Sequence, residues 1–71
     1  MVMSLKVVGS SSPTFYTAMY RRKGSRTFYR CGYKSESLSD ISDMAHREVS
    51  SGMYAAAKVI DAASCRVIET I

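Results

Sequence analysis

Cysteine is scarce in this sequence, which contains only Cys31 and Cys65. Two cysteines are too few for a disulfide scaffold, and neither lies in a CxxC or a Cys/His spacing that would indicate a metal site. Isolated cysteines of this kind are typical of buried thiols in a reducing cytosol. The sequence therefore predicts neither structural disulfides nor a bound metal.

Long apolar runs are also missing. No stretch of the sequence approaches the roughly 20 residues that a helix needs to cross a bilayer. The opening MVMSLKVV is too short and too weakly flanked for a signal peptide, so we interpret it as part of the mature protein, with a short strand in LKVV. We expect a cytoplasmic protein without membrane contacts, located in the host cytoplasm if a phage encodes it.

Motifs of catalysis and of cofactor binding are missing as well. There is no GxSxG, Walker-type or GxGxxG pattern, and His46 is the single histidine. Its position near the end of a predicted helix is explained by the helix dipole. The spacing of Asp40 and Asp43 is better explained by the same dipole at the N-terminal end than by general acid–base catalysis. We therefore expect a protein that is not an enzyme and that uses no cofactor.

What the sequence does contain is enough apolar material for one small domain. A chain of 71 residues is near the size at which a single core only just supports folding. Its hydrophobic content of 46% argues against disorder. We expect one domain that spans residues 1–71.

Positive charge is concentrated in one segment. The net charge is +4, and six of the ten basic residues lie between residues 21 and 34 with no acidic residue among them. These residues are Arg21, Arg22, Lys23, Arg26, Arg30 and Lys34. All the acidic residues come later, from Glu36 onward. One end of the molecule is therefore predicted to be cationic, which suits a phosphate backbone, an acidic protein surface or solubility alone.

The segment FYTAMYRRKGSRTFYRCGY, residues 15–33, predicts a β-hairpin. Gly24 and Ser25 fit the two central positions of a type II′ turn. This turn places Tyr16, Ala18 and Tyr20 opposite Tyr33, Cys31 and Tyr29 on one face. The opposite face then carries Thr17, Met19, Arg21, Phe28, Arg30 and Gly32, with Lys34 beyond.

Residues 35–52 predict an amphipathic helix, with Ser37 as N-cap, Asp40 three residues on, and Gly52 as the stop. Leu38, Ile41, Met44, Ala45 and Val49 form its apolar stripe. Residues 54–71 are ambiguous: alanine and the helical spacing of several apolar residues favour a helix near 53–63. Two strands in KVID and CRVIETI, joined by an Ala-Ala-Ser turn, are the preferred interpretation.

These elements predict an α+β fold: a small antiparallel sheet of a β-hairpin and one or two C-terminal strands, with one helix packed on a face. The apolar stripe of the helix needs a partner, and the tyrosine, alanine and cysteine face of the hairpin is the expected one. The tyrosine hydroxyls would then reach the rim of the core.

The opposite face of the hairpin is the predicted binding site. Phe28 among arginines resembles an arrangement on which a base stacks while cations hold phosphates, and the basic tip suits a groove. Alternatively, Phe28 and Met19 ringed by arginine suit a protein interface. A charged strand that only prevents edge pairing is the structural alternative. The predicted site residues are Met19, Arg21, Arg22, Lys23, Arg26, Phe28, Arg30 and Lys34.

A hairpin, SLSD at residues 37–40 opening an amphipathic helix, and short strands to the end of the chain resemble the layout of many small phage proteins. Among these are inhibitors of host RNA polymerase and some anti-CRISPR proteins. The resemblance covers residues 14–71 and implies an inhibitor or regulator that docks on a host protein or nucleoprotein complex with an acidic surface. Direct binding of DNA or RNA by the same hairpin is the alternative, and a homodimer formed through a sheet edge is compatible with either.

Overall fold

A computed structural model describes residues 13–71 of the chain; the strand expected in LKVV lies outside the described residues. The described part contains a four-stranded antiparallel sheet with one helix packed against it. Strand β1 spans Tyr16–Arg21 and β2 spans Phe28–Ser35. Helix α1 spans Leu38–Ser50, and strands β3 and β4 span Ala56–Asp61 and Val67–Thr70. The predicted α+β class and order of elements are confirmed.

The strands lie in the order β2-β1-β3-β4. Strand β1 is therefore central, with β2 on one side and β3 on the other, and β2 and β4 form the two edges. The pairing of β1 with β3 places Ala18 opposite Val59 and Met19 opposite Lys58. Every residue of β1 pairs with a residue of β3, and every one except Ala18 also pairs with a residue of β2.

The tip of the hairpin differs from the prediction. The N–H of Ser25 donates to the carbonyl of Arg22 over 3.1 Å, so Lys23 and Gly24 are the central residues of the turn. Gly24 has a φ of +82°, the sign that a type II turn requires at its third residue and that glycine adopts without steric cost. The predicted type II′ turn at Gly24-Ser25 is wrong, because residues 22–27 form a longer loop.

The predicted register of the hairpin is confirmed near the tip, but it is wrong near the base. Arg21 lies opposite Phe28 and Tyr20 opposite Tyr29, as predicted. The register then shifts between Thr17 and Met19, so that Tyr16 lies opposite Ser35 rather than Tyr33. A β-bulge in the longer strand β2 explains the shift, since extra residues there face a single residue of β1.

Thr17 stabilises this bulge. Its hydroxyl donates to the carbonyl of Tyr33 over 2.6 Å and lies 3.4 Å from the sulfur of Cys31. Thr17 is only 3% exposed, although the sequence places it on the same face as the basic residues. Its neighbour on β3 is the buried Ile60, so this end of the face is closed and cannot contribute to a binding surface.

Helix α1 begins and ends where the sequence predicts. The hydroxyl of Ser37 accepts a hydrogen bond from the N–H of Asp40, which satisfies one of the free amides of the first turn. At the other end Ser51 is the C-cap, and Gly52 follows with a φ of +84°. A left-handed glycine after the last turn is a common way to end a helix.

The core lies between α1 and the two central strands. Ile41 and Ala45 of the helix pack with Ala18 of β1 and with Ala57 and Val59 of β3. The prediction that the hairpin alone provides the partner for the helix is therefore only partly right. Tyr29 and Tyr33 on the edge strand are 64% and 54% exposed instead of buried, because β3 draws the helix away from β2.

The C-terminal region is the predicted pair of strands rather than a helix. Strand β4 begins at Val67, later than the sequence suggests, because residues 62–66 form the turn. The carboxylate of Asp61 accepts hydrogen bonds from the N–H groups of Ala63 and Ser64 and closes this turn. Those two N–H groups lower the pKa of Asp61 below its ordinary value. Cys65 adopts a φ of +64° at the end of the turn.

Candidate binding surface

The face of the sheet that points away from α1 carries basic side chains from three adjacent strands. Register places Arg21 beside Phe28, and Met19 between Arg30 of β2 and Lys58 of β3. Alternation along the strands puts all five side chains on one face. We call this the outer face. It brings together the predicted residues Met19, Arg21, Phe28 and Arg30 and adds Lys58. Lys34 lies opposite Thr17 at the closed end, with its ammonium nitrogen 5.1 Å from the centre of the Phe15 ring.

Phe28 does not present a free ring on the outer face. The ammonium nitrogen of Lys58 lies 4.3 Å from the centre of the ring, and the Cζ atom of Arg21 lies 6.0 Å from it. Cations at these distances from an aromatic ring are attracted by its quadrupole. The ring is half-buried and already holds two of the protein's own cations, so it positions them and is not an open platform for stacking.

Two arginines of the outer face also have structural hydrogen bonds. Arg21 donates through Nη1 to the carbonyl of Ser25 over 2.9 Å, which ties β1 to the loop. Arg30 donates through Nη2 to the carbonyl of Ala62 over 2.7 Å and lies 3.2 Å from the sulfur of Cys65. Substitution of either arginine would therefore disturb the fold as well as any binding.

The loop at the tip holds the remaining predicted cations. Arg22, Lys23 and Arg26 are exposed, and their side chains make no hydrogen bond or ion pair with any described residue. Their charges are solvated in the free protein, so a partner can contact them without first breaking an internal interaction. They are the most accessible part of the predicted site.

The basic side chains are not neutralised by neighbouring carboxylates. Within residues 13–71 the one ion pair joins His46 to Glu69, and no lysine or arginine takes part in a salt bridge. Asp40 and Asp43 of the helix line a recess with Tyr33 and Arg47 on the helix side of β2, away from the outer face. The hairpin and Lys58 therefore form an uncompensated positive surface.

The sequence interpretation missed three residues of this region. Tyr29 and Tyr33 were expected in the core and are instead the exposed aromatics of the edge strand. Lys58 lies in a segment for which the sequence allows either a helix or a strand, so the face it occupies could not be predicted. The alternation in AAKVID, with Ala57 and Val59 buried, places Lys58 on the opposite face once the segment pairs as a strand.

A cleft of about 470 Å³ lies on the helix side of the hairpin tip. Its lining includes three tyrosines, two arginines and a cysteine, and no carboxylate: Tyr20, Tyr29, Tyr54, Arg22, Arg30 and Cys31. The rings of Tyr20 and Tyr54 stack with 4.4 Å between their centres and 17° between their planes. The cleft is thus aromatic and positively charged.

Tyr20 and Cys31 in the cleft have shifted acidities. Burial, with a smaller contribution from Cys31, raises the pKa of Tyr20 to about 12. The Tyr20 hydroxyl is buried and lacks a hydrogen-bond partner among the described residues, a state that costs roughly 1–3 kcal/mol. Burial raises the pKa of Cys31, but hydrogen bonds from Thr17 and from backbone N–H groups outweigh it and leave the pKa below its ordinary value.

A polar cluster joins the helix to the edge strand β4. Glu69 accepts hydrogen bonds from the hydroxyl of Ser42 over 2.6 Å and pairs with Nε2 of His46 over 2.8 Å. These two partners lower the pKa of Glu69. Serine and histidine both bind the carboxylate rather than each other, so the cluster stabilises the packing of β4 and lacks the serine–histidine contact of a hydrolytic triad.

Two features are absent from residues 13–71. No group of three or more histidine, cysteine, aspartate or glutamate side chains is placed to hold a metal ion there. No helix in this part of the chain is long and apolar enough to cross a membrane.

Comparisons with protein-family models, with curated proteins and with solved structures yield no significant match. The physical properties of the surface are therefore the basis for a functional proposal.

Proposed function

We propose that this protein is a non-enzymatic binding protein whose basic hairpin docks on a nucleic acid, either free or within a nucleoprotein complex. The observation that carries the proposal is the uncompensated charge of the hairpin and Lys58 within the described structure. Phosphate backbones bind such surfaces through lysine and arginine, and release of their counterions supplies much of the affinity.

The exposed tyrosines favour nucleic acid over an acidic protein surface. Tyr29 and Tyr33 are exposed on the helix side of the edge strand, where Tyr29 lines the cleft with Arg22 and Tyr33 lines a recess with Arg47. Exposed aromatic rings next to cations allow bases to stack while phosphates are held, the usual arrangement in proteins that bind single strands. The anchor expected for a protein interface, Phe28, is instead held by Lys58 and Arg21.

A small binding protein of this kind acts by covering the surface of its target, which blocks access of other molecules to it. An inhibitory or regulatory role, in a phage or another mobile element, belongs to the same proposal and is supported by the resemblance in layout described above. Docking on an acidic protein surface is the competing outcome, since the same cations would serve it.

The proposal is tested by titrating labelled single- and double-stranded oligonucleotides, and polyglutamate as an acidic polypeptide, at near-physiological salt. The test variant is Lys23→Glu/Arg26→Glu, because these exposed side chains make no hydrogen bond or ion pair with any described residue. The matched control is Arg47→Glu/Arg66→Glu, which changes the net charge equally at exposed positions outside the hairpin.

We expect micromolar or tighter binding of single strands that is lost in the test variant and kept in the control. Tighter binding of polyglutamate than of any oligonucleotide would favour an acidic protein partner. Absence of oligonucleotide binding, or equal loss in both variants, would refute the proposal.

A further inference from the structure

We infer that the cleft at the hairpin tip binds a nucleoside phosphate, with Tyr29 against the base and Arg22 on the phosphate. This inference rests on the proposed function and deepens it, because it names the unit of nucleic acid that is recognised. The ligand is either a free nucleotide or the terminal nucleotide of a strand, and both sources share the same chemistry.

The charge of the cleft selects an anionic group. Arg22 and Arg30 line it, and no carboxylate does. Arg22 makes no hydrogen bond or ion pair with any described residue, so its guanidinium is available for two parallel hydrogen bonds to a phosphate. The guanidinium of Arg30 is held by the carbonyl of Ala62 on the outer face, so Arg22 alone, among the described residues that line the cleft, is free to bind the anionic group there.

The aromatic residues select a planar ring. Tyr20 and Tyr54 stack on each other and form a rigid wall, while Tyr29 remains 64% exposed at the rim. A base that enters the cleft stacks on an aromatic side chain without strong dependence on its sequence.

The size of the cleft suits one nucleotide rather than a duplex. A volume of about 470 Å³ lies in the range of small-molecule sites, roughly 300–1,000 Å³. The cleft is separate from the outer face, since Tyr20 and Tyr29 project to the helix side of the sheet while Phe28 and Lys58 project to the other. The two surfaces meet at the edge strand β2, so a strand held by the basic hairpin can place its end in the cleft.

The experiment is a titration of the intact protein with nucleoside 5′-monophosphates, followed by amide chemical shifts in NMR. The unphosphorylated nucleosides and inorganic phosphate are titrated separately as partial ligands. We expect the nucleotides to shift amides around the cleft and to bind at least tenfold more tightly than either partial ligand.

Two variants and two matched controls assign the site. Tyr29→Ala and Arg22→Gln should each weaken nucleotide binding at least fivefold. Tyr29→Phe keeps the ring, and Arg66→Gln removes a guanidinium at an exposed position outside the cleft; each should change nucleotide binding less than twofold. Lack of nucleotide binding at millimolar concentration, or equal weakening in variants and controls, would overturn the inference.

Competition between mononucleotides and oligonucleotides distinguishes a free nucleotide from a strand end as the ligand. It also distinguishes failure of the inference on the cleft from failure of the proposed function. An oligonucleotide with a terminal phosphate that displaces the mononucleotide indicates a strand end, and lack of displacement indicates a free nucleotide. If oligonucleotides bind through Lys23 and Arg26 but mononucleotides do not bind, the inference on the cleft fails and the proposed function stands. If mononucleotides bind and oligonucleotides do not, the proposed function fails instead.

Discussion

The ammonium nitrogen of Lys58 lies 4.3 Å from the centre of the Phe28 ring, although the two residues belong to strands that flank β1 on opposite sides. Neighbouring strands are about 4.8 Å apart, so the lysine side chain crosses roughly 10 Å of the sheet to reach the ring. Phe28 therefore organises the positive charge of the outer face, and this assigns it a structural role.

Phe28→Leu should leave oligonucleotide affinity within about threefold of the original, because the ring is not the surface on which a base stacks. Loss of the cation–π contacts should lower the free energy of unfolding by roughly 0.5–2 kcal/mol. Urea denaturation and oligonucleotide titration of the same variant check both values. A tenfold or larger loss of affinity in a stably folded variant would restore Phe28 as the anchor that the sequence suggests.

Tyr33→Ala should weaken single-stranded oligonucleotide binding, because the exposed ring stacks on a base. Base stacking on an aromatic side chain contributes roughly 1–3 kcal/mol, so the dissociation constant should rise about 5- to 100-fold. Stability should change little, since Tyr33 is 54% exposed. Fluorescence anisotropy measures the affinity, with Tyr33→Phe as the control that keeps the ring and should bind normally. Equal weakening by Tyr33→Phe would show that the hydroxyl, not stacking, is responsible.

Much of this fold follows from local sequence patterns. Ser37 and Gly52 mark the ends of the helix, and the alternation in the last part of the chain indicates two strands. The positions of Tyr29 and Tyr33 do not follow from such patterns, because they depend on which edge of the hairpin receives β3. In the hairpin alone, these tyrosines share a face with Ala18 and Tyr20, which predicts that they are buried. In the sheet, the order β2-β1-β3-β4 puts their strand at an edge that the helix does not cover.

The candidate site was predictable in composition and not in geometry. The run from Arg21 to Lys34 identifies the basic hairpin, and its register near the tip places Arg21 opposite Phe28. Lys58 is distant in sequence and joins the outer face only through the pairing of Met19 with β3. The turn was mispredicted because Gly24 satisfies the positive φ of either turn type, and the hydrogen bond from Ser25 to Arg22 makes it the second of the two central residues rather than the first.

Tyr20→Phe should raise the free energy of unfolding by about 1–3 kcal/mol, because it removes a buried hydroxyl that lacks a partner in the described structure. The stack on Tyr54 and the packing of the ring are kept. Urea denaturation near neutral pH measures the change, where the phenol is neutral in both states. A loss of more than about 1 kcal/mol would mean that the hydroxyl is hydrogen-bonded in solution.

The Glu69 cluster should make part of the stability depend on pH. The pKa of Glu69 in the folded protein lies below its ordinary value of 4.5, so the folded state favours the ionised carboxylate. The contribution of Glu69 to stability is therefore complete above pH 4.5 and is lost as the pH falls through the lowered pKa. The destabilisation caused by Glu69→Gln, measured by urea denaturation, should thus be largest near neutral pH and shrink below pH 4. A difference that does not change between pH 7 and pH 3 would contradict the hydrogen bonding of Glu69 to Ser42 and His46.

The most direct test of the central proposal is the dependence of single-stranded oligonucleotide affinity on salt concentration. If four phosphates are contacted, the logarithm of the association constant should fall with the logarithm of salt at a slope of about −2.8, and Lys23→Glu/Arg26→Glu should reduce it to about −1.4. Arg47→Glu/Arg66→Glu should keep the original slope. Equal slopes in all three proteins, or binding that modest salt abolishes in each, would contradict a specific contact between the basic hairpin and nucleic acid.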